Sequence, residues 1–249
     1  MLSAMKSELM RLLTLRSTLI YAILLTGSLY GPPVLVVALN SNEGTTTYTG
    51  ADIGQFVMIF IIVAIVFAGA STAGEIRRGS LGVTFLTQRS RWMSYLARGV
   101  VACLFVALNF FVGIALALGV FKVGSTPVDL SGGGWEYLGL NLLAALSFVA
   151  ITIGLAALTR STSAAISLPL AWLLFVESLL ASVPIKIFQE ISQWTPLMNW
   201  SFLFGKVYPP AASDFITHGV GGAVAAVTVA TAIFFAGGWY SHVSRDIPA

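Results

Sequence analysis

Gly54-Gln-Phe-Val-Met-Ile-Phe-Ile-Ile-Val-Ala-Ile-Val-Phe-Ala-Gly-Ala-Ser-Thr-Ala-Gly74 runs without a charged side chain, and Glu75-Ile-Arg-Arg78 follows it at once. Wound as a helix rising about 1.5 Å per residue, the run is long enough to cross roughly 30 Å of hydrocarbon. Runs of the same kind recur at about 18–39, 99–121, 136–158, 164–183 and 217–239. The composition agrees: of 249 residues, 57% are hydrophobic and 9% charged, where globular domains carry about 25% charge. The sequence predicts an all-α polytopic membrane protein, one transmembrane domain with six spans.

Charge orients the six spans. If the N-terminus is inside, the inner segments hold Lys6, Arg11, Arg16, Arg77, Arg78, Arg89, Arg91, Arg98, Arg160 and Arg245. The outer segments hold only Lys122, Lys186 and Lys206, whereas Glu43, Asp52, Asp129, Glu136, Glu190 and Asp214 all fall outside. Such an asymmetry over short loops is the positive-inside pattern, so both termini are expected in the cytoplasm and the chain in the cell membrane, in contact with its lipids. The net charge of +3 is too small and too dispersed to suggest nucleic acid.

Residues 1–16 lack the apolar core and cleavage site of a signal peptide. Leu2, Met5, Leu9, Leu12 and Leu13 recur at helical spacing opposite Lys6, Ser7, Arg11 and Thr14, which predicts an amphipathic helix in the inner interface. Pro32-Pro33 should kink or end the first span. Gly69 with Ala73, Ala150 with Gly154, and Gly221 with Ala225 are small pairs that let helices approach closely.

No catalytic constellation is legible. His218 and His242 stand near opposite ends of the last span, the first read as an interfacial polar residue and the second as part of a solvated tail. The lone Cys103 sits in an apolar run and reads as packing. Gly119-Val-Phe-Lys-Val-Gly-Ser-Thr126 has the glycine spacing of a phosphate loop but lacks the lysine after the second glycine. The chain therefore binds no nucleotide of its own.

Glu177 is the one ionisable residue expected within a span, roughly 9 Å from the outer end at Val183. It is either a group lining a translocation path or a carboxylate that ties helices together, with Lys186 as a partner. Between the fifth and sixth spans, residues 184–216 are broken by Pro184, Pro196, Pro209 and Pro210, yet carry Trp194, Trp200, Phe202 and Tyr208. Aromatics of this kind favour the interface, so a re-entrant outer cap is expected. On the inner side, residues 75–98 frame apolar Val83, Phe85 and Leu86 with arginines: a docking surface for a protein, or a loop lying on anionic headgroups.

These features together resemble the type-2 ABC exporter permeases. Gly74-Glu75, Arg77-Arg78-Gly79-Ser80, Leu86-Thr87, Arg89-Ser90-Arg91 and Ala97-Arg98 are similar to that family's loop after the second span, with Ser80 in place of Thr and Arg98 in place of Lys. Ser7-Glu8, Leu12 and Arg16-Ser17 resemble its opening. The resemblance implies a translocation path built by two permease copies, driven by two separate ATP-binding subunits that hold ATP and Mg²⁺. It casts Glu75, Arg77, Arg78, Gly79, Ser80, Arg89 and Arg91 as the coupling loop, puts Glu177 beside the path, and makes the cargo amphipathic or lipid-like. A six-helix scaffold or immunity-type protein without transport, or an ion-driven transporter, are the alternatives.

Overall fold

The computed structural model describes residues 2–39, 47–77, 91–207 and 216–244. A first helix, α1 (Leu2–Thr14), turns directly into α2 (Arg16–Leu39), the first span. A two-residue strand, β1 (Tyr48–Thr49), leads through α3 (Gly50–Gln55) into α4 (Val57–Arg77), the second span. The third span, α5 (Arg91–Val123), is followed by strand β2 (Val128–Asp129) and the fourth span, α6 (Gly134–Thr159). The fifth consists of α7 (Thr162–Ala171), a π-helical turn (Trp172–Val176) and α8 (Glu177–Ser182). Two short helices, α9 (Lys186–Ser192) and α10 (Pro196–Val207), precede the sixth span, α11 (Gly219–Ser244). Among the described residues, six helical segments are long and apolar enough to cross a membrane.

The second and fourth spans form the centre, and the first and sixth are the least buried. α6 packs along α11 and α4, while α2 lies against α5. Several hydroxyls inside the spans donate to carbonyls of their own helix, as Thr152 does to Phe148 O at 2.7 Å and Ser147 to Ala144 O at 2.8 Å, which satisfies them without water. At the end of the bundle away from the termini, β1 and β2 pair in parallel, Tyr48 opposite Val128 and Thr49 opposite Asp129. The Tyr48 ring stacks on Phe121 at 5.1 Å. Asp52 accepts from both the N–H and the hydroxyl of Thr49 at 2.7 Å, fixing the start of α3.

α2 continues through Pro32 and Pro33 to Leu39, the end expected for the first span, so of the two effects expected of the prolines the helix does not end there; in a membrane span, neighbouring helices and local adjustment sustain a helix past its missing N–H donors. Close helix approach occurs at one of the small residues read from the sequence, Gly154. Gly154 faces Gly238, and a Cβ at Gly238 would lie 2.6 Å from both Gly154 Cα and the Tyr95 hydroxyl. Gly221, by contrast, has nothing within 4 Å of such a Cβ.

Candidate functional site

At the termini end, four charged side chains from three elements meet. Arg11 Nε lies 2.6 Å from Glu8 Oε2, one turn away on α1. Its Nη1 lies 2.5 Å from Oε1 of Glu75, in the last turn of α4. Arg98, near the start of α5, sits 3.3 Å from Glu8 Oε1 and also contacts Glu75 Oε2. Arg98 is 3% exposed. Two cations and two anions alternate, so each of the four faces an opposite charge, which offsets part of the cost of burying Glu8 and Arg98. Nε and Nη1 of Arg98 have no hydrogen-bond partner among the described residues. A cavity of about 130 Å³ beside the cluster is lined by Arg11, Glu75, Ser17, Thr18, Tyr21 and Ser71, among others.

Of the loop residues singled out in the sequence, Glu75 is thus bound into this cluster. Arg77 ends α4 and Arg91 begins α5. Arg78, Gly79, Ser80 and Arg89 lie outside the described residues. The cluster ties α1 to both roots of that loop. Glu8, Arg11 and Arg98 were not marked as site residues by sequence reasoning. A signal for the acids was present: Glu8 and Glu75 are carboxylates on the side where arginines dominate, and an acid against the local charge is a candidate for pairing.

A second cluster corrects the reading of His242. The histidine is 5% exposed, inside α11 rather than in a solvated tail. Its Nε2 is 3.3 Å from Ser94 Oγ, and its ring lies 5.5 Å from that of Tyr95. The Tyr95 hydroxyl donates to Phe235 O at 2.9 Å. The cause is local: α11 runs on to Ser244, and side-chain-free Gly238 lets it settle against α5 and α6.

Glu177 is fully buried. Trp172 Nε1 donates to its Oε1 at 2.6 Å, and Met198 N–H donates to its Oε2 at 3.1 Å. The first bond joins residues five apart, the spacing of the π-helical turn that brings Trp172 and Glu177 onto one face. The second places a carboxylate at the N-terminus of α10, where unpaired N–H groups and the helix dipole favour negative charge. The Thr195 hydroxyl and Leu197 N–H also donate to this carboxyl, so its described partners are neutral donors rather than Lys186.

The aromatic segment separates into two roles. Trp194 is 59% exposed, its ring 4.5 Å from that of His218. Trp200 is buried and donates through Nε1 to Ser147 Oγ at 3.1 Å. Ser147 is about 20 Å along α6 from Gly134 by helical rise. The other end of α10 returns to the start of α6, since a Cβ at Gly133 would be 2.8 Å from Val207 Cγ1.

A cavity of about 1230 Å³ opens between α5, α6, α10 and α11. Leu104, Leu140, Leu143, Leu203 and Phe235 form much of its wall, and Glu136 and Lys206 stand at one end. Glu177 is not among its lining residues. No protein-family model matches the chain, and no curated protein matches it.

Proposed function

We propose that this chain is the membrane-spanning permease subunit of an ATP-driven exporter of the type-2 ABC class, moving an amphipathic or lipid-like substrate. A second permease copy would complete the path, and two ATP-binding subunits would dock on the cytoplasmic face beneath residues 75–98. Both termini are then cytoplasmic. The observation that carries this reading is the junction of α1 with the two roots of the 78–90 loop through Glu8, Arg11, Glu75 and Arg98. A loop that receives a push from below needs roots that do not yield, and interlocked buried ion pairs supply them.

ATP and Mg²⁺ on the partner supply the free energy. Displacement of the loop would reach α4 and α5 together, because Glu75 and Arg98 are in contact. At the far side, α10 reads as a re-entrant outer cap: its first turn is held by Glu177 and its far end lies at the start of α6. Movement of the fifth span would therefore carry the cap with it. Arg77→Glu combined with Arg78→Glu should abolish substrate-stimulated ATP hydrolysis in native-membrane vesicles, with insertion unchanged. An inverted topology would instead assign these arginines to orientation. Uptake driven by an ion gradient without ATP would overturn the exporter reading.

A further inference from the structure

The 1230 Å³ cavity has a polar end and an apolar body. Along α11 its lining runs from Val220 to Phe235, about 22 Å by helical rise. One leaflet of hydrocarbon is about 15 Å deep, so the body accommodates acyl chains at full length. The wall carries large side chains, Leu104, Leu140, Leu143 and Phe235 among them.

At the polar end stand one cation and one anion. Val207, next to Lys206, adjoins Gly133 at the head of α6, so Lys206 and Glu136 flank the same mouth. Gly133 has φ +97°, a left-handed backbone that glycine adopts without strain, and its missing Cβ admits Val207. Both charged residues are exposed. The Lys206 ammonium rests 4.7 Å above the Phe202 ring. Neither residue has an ion pair among the described residues.

We infer that this groove is a binding site for a two-chain zwitterionic phospholipid, drawn from the leaflet on the side opposite the termini. Lys206 meets the phosphate, Glu136 meets the ammonium, and the chains lie along α5, α6 and α11. A purely anionic lipid gains from Lys206 but is repelled by Glu136. A neutral lipid gains from neither. The site is independent of how transport is driven.

The test is native mass spectrometry of the full-length protein, released by mild detergent from nanodiscs holding equal phosphatidylethanolamine and phosphatidylglycerol. The wild type should retain phosphatidylethanolamine over phosphatidylglycerol by about fivefold, the factor given by roughly 1 kcal/mol per headgroup charge contact. Glu136→Lys should reverse the preference, since two cations then face the headgroup. Thr228→Trp, which plugs the groove wall, should lose both lipids while eluting as a folded protein. Equal retention of the two lipids, a preference unmoved by Glu136→Lys, or retention unmoved by the plug would each overturn the proposal. So would a cross-link from a photoreactive group at position 228 to another polypeptide instead of to lipid.

Discussion

Arg98 and Glu177 are both buried ionisable residues, and they are stabilised in opposite ways. Arg98 faces two carboxylates, whose charge it shares with Arg11. Removing it takes a cation away from both Glu8 and Glu75, and breaking a buried pair from one side costs about 3–5 kcal/mol. Arg98→Met should therefore lower thermal stability in detergent sharply. Adding Glu8→Gln should recover part of the loss, and the non-additivity of the two changes measures their coupling. Glu177 is held by neutral donors, Trp172 Nε1, the N–H groups of Leu197 and Met198, and the Thr195 hydroxyl, instead of a cation. Glu177→Leu would strand these donors, at about 1–3 kcal/mol each. Glu177→Gln keeps an acceptor and should cost less, with the difference read by thermal melting. If Gln also leaves transport and assembly intact, the carboxylate's charge has no part in the path.

At the scale of elements, the α6–α11 seam is set by backbone approach rather than by side-chain fit. Gly154→Ala or Gly238→Ala would push a methyl into the opposite helix and should destabilise the protein by about 1–3 kcal/mol. Gly221→Ala meets nothing within 4 Å and should be neutral or gain up to about 1 kcal/mol from helix propensity. Parallel melting curves separate the two cases. Spans were legible from the sequence because an uncharged run such as 54–74 has one physical destination. The end of the last span was not, since His242 reads as part of a solvated tail until α11 runs on to Ser244 and places it beside Ser94 of α5. Trp200 was read as an interfacial aromatic, while its indole reaches Ser147 deep along α6. Glu177 could be singled out as an intramembrane carboxylate, but its partner Met198 N–H is a backbone group from a later helix, and residue type gives no sign of such a contact. The four-residue cluster escaped for a related reason: Glu8, Glu75 and Arg98 come together only through the antiparallel return of α4 and α5 over α1.

For the molecule as a whole, six apolar helices form a multi-pass membrane protein, with α1 fastened to the termini end and α10 packed at the other. In the proposed function this chain supplies the membrane path and the partner supplies hydrolysis. The docking of an ATP-binding subunit on residues 75–98 is the claim on which the rest depends. Its most direct test is purification of the tagged chain from its native membrane in mild detergent, with every stoichiometric companion identified by mass spectrometry. An ATP-binding polypeptide bearing an intact nucleotide loop should co-purify in equal number with this chain and be lost when Arg77 and Arg78 are both replaced by Glu. Purification of the wild-type chain, loop intact, without any such polypeptide would contradict that claim.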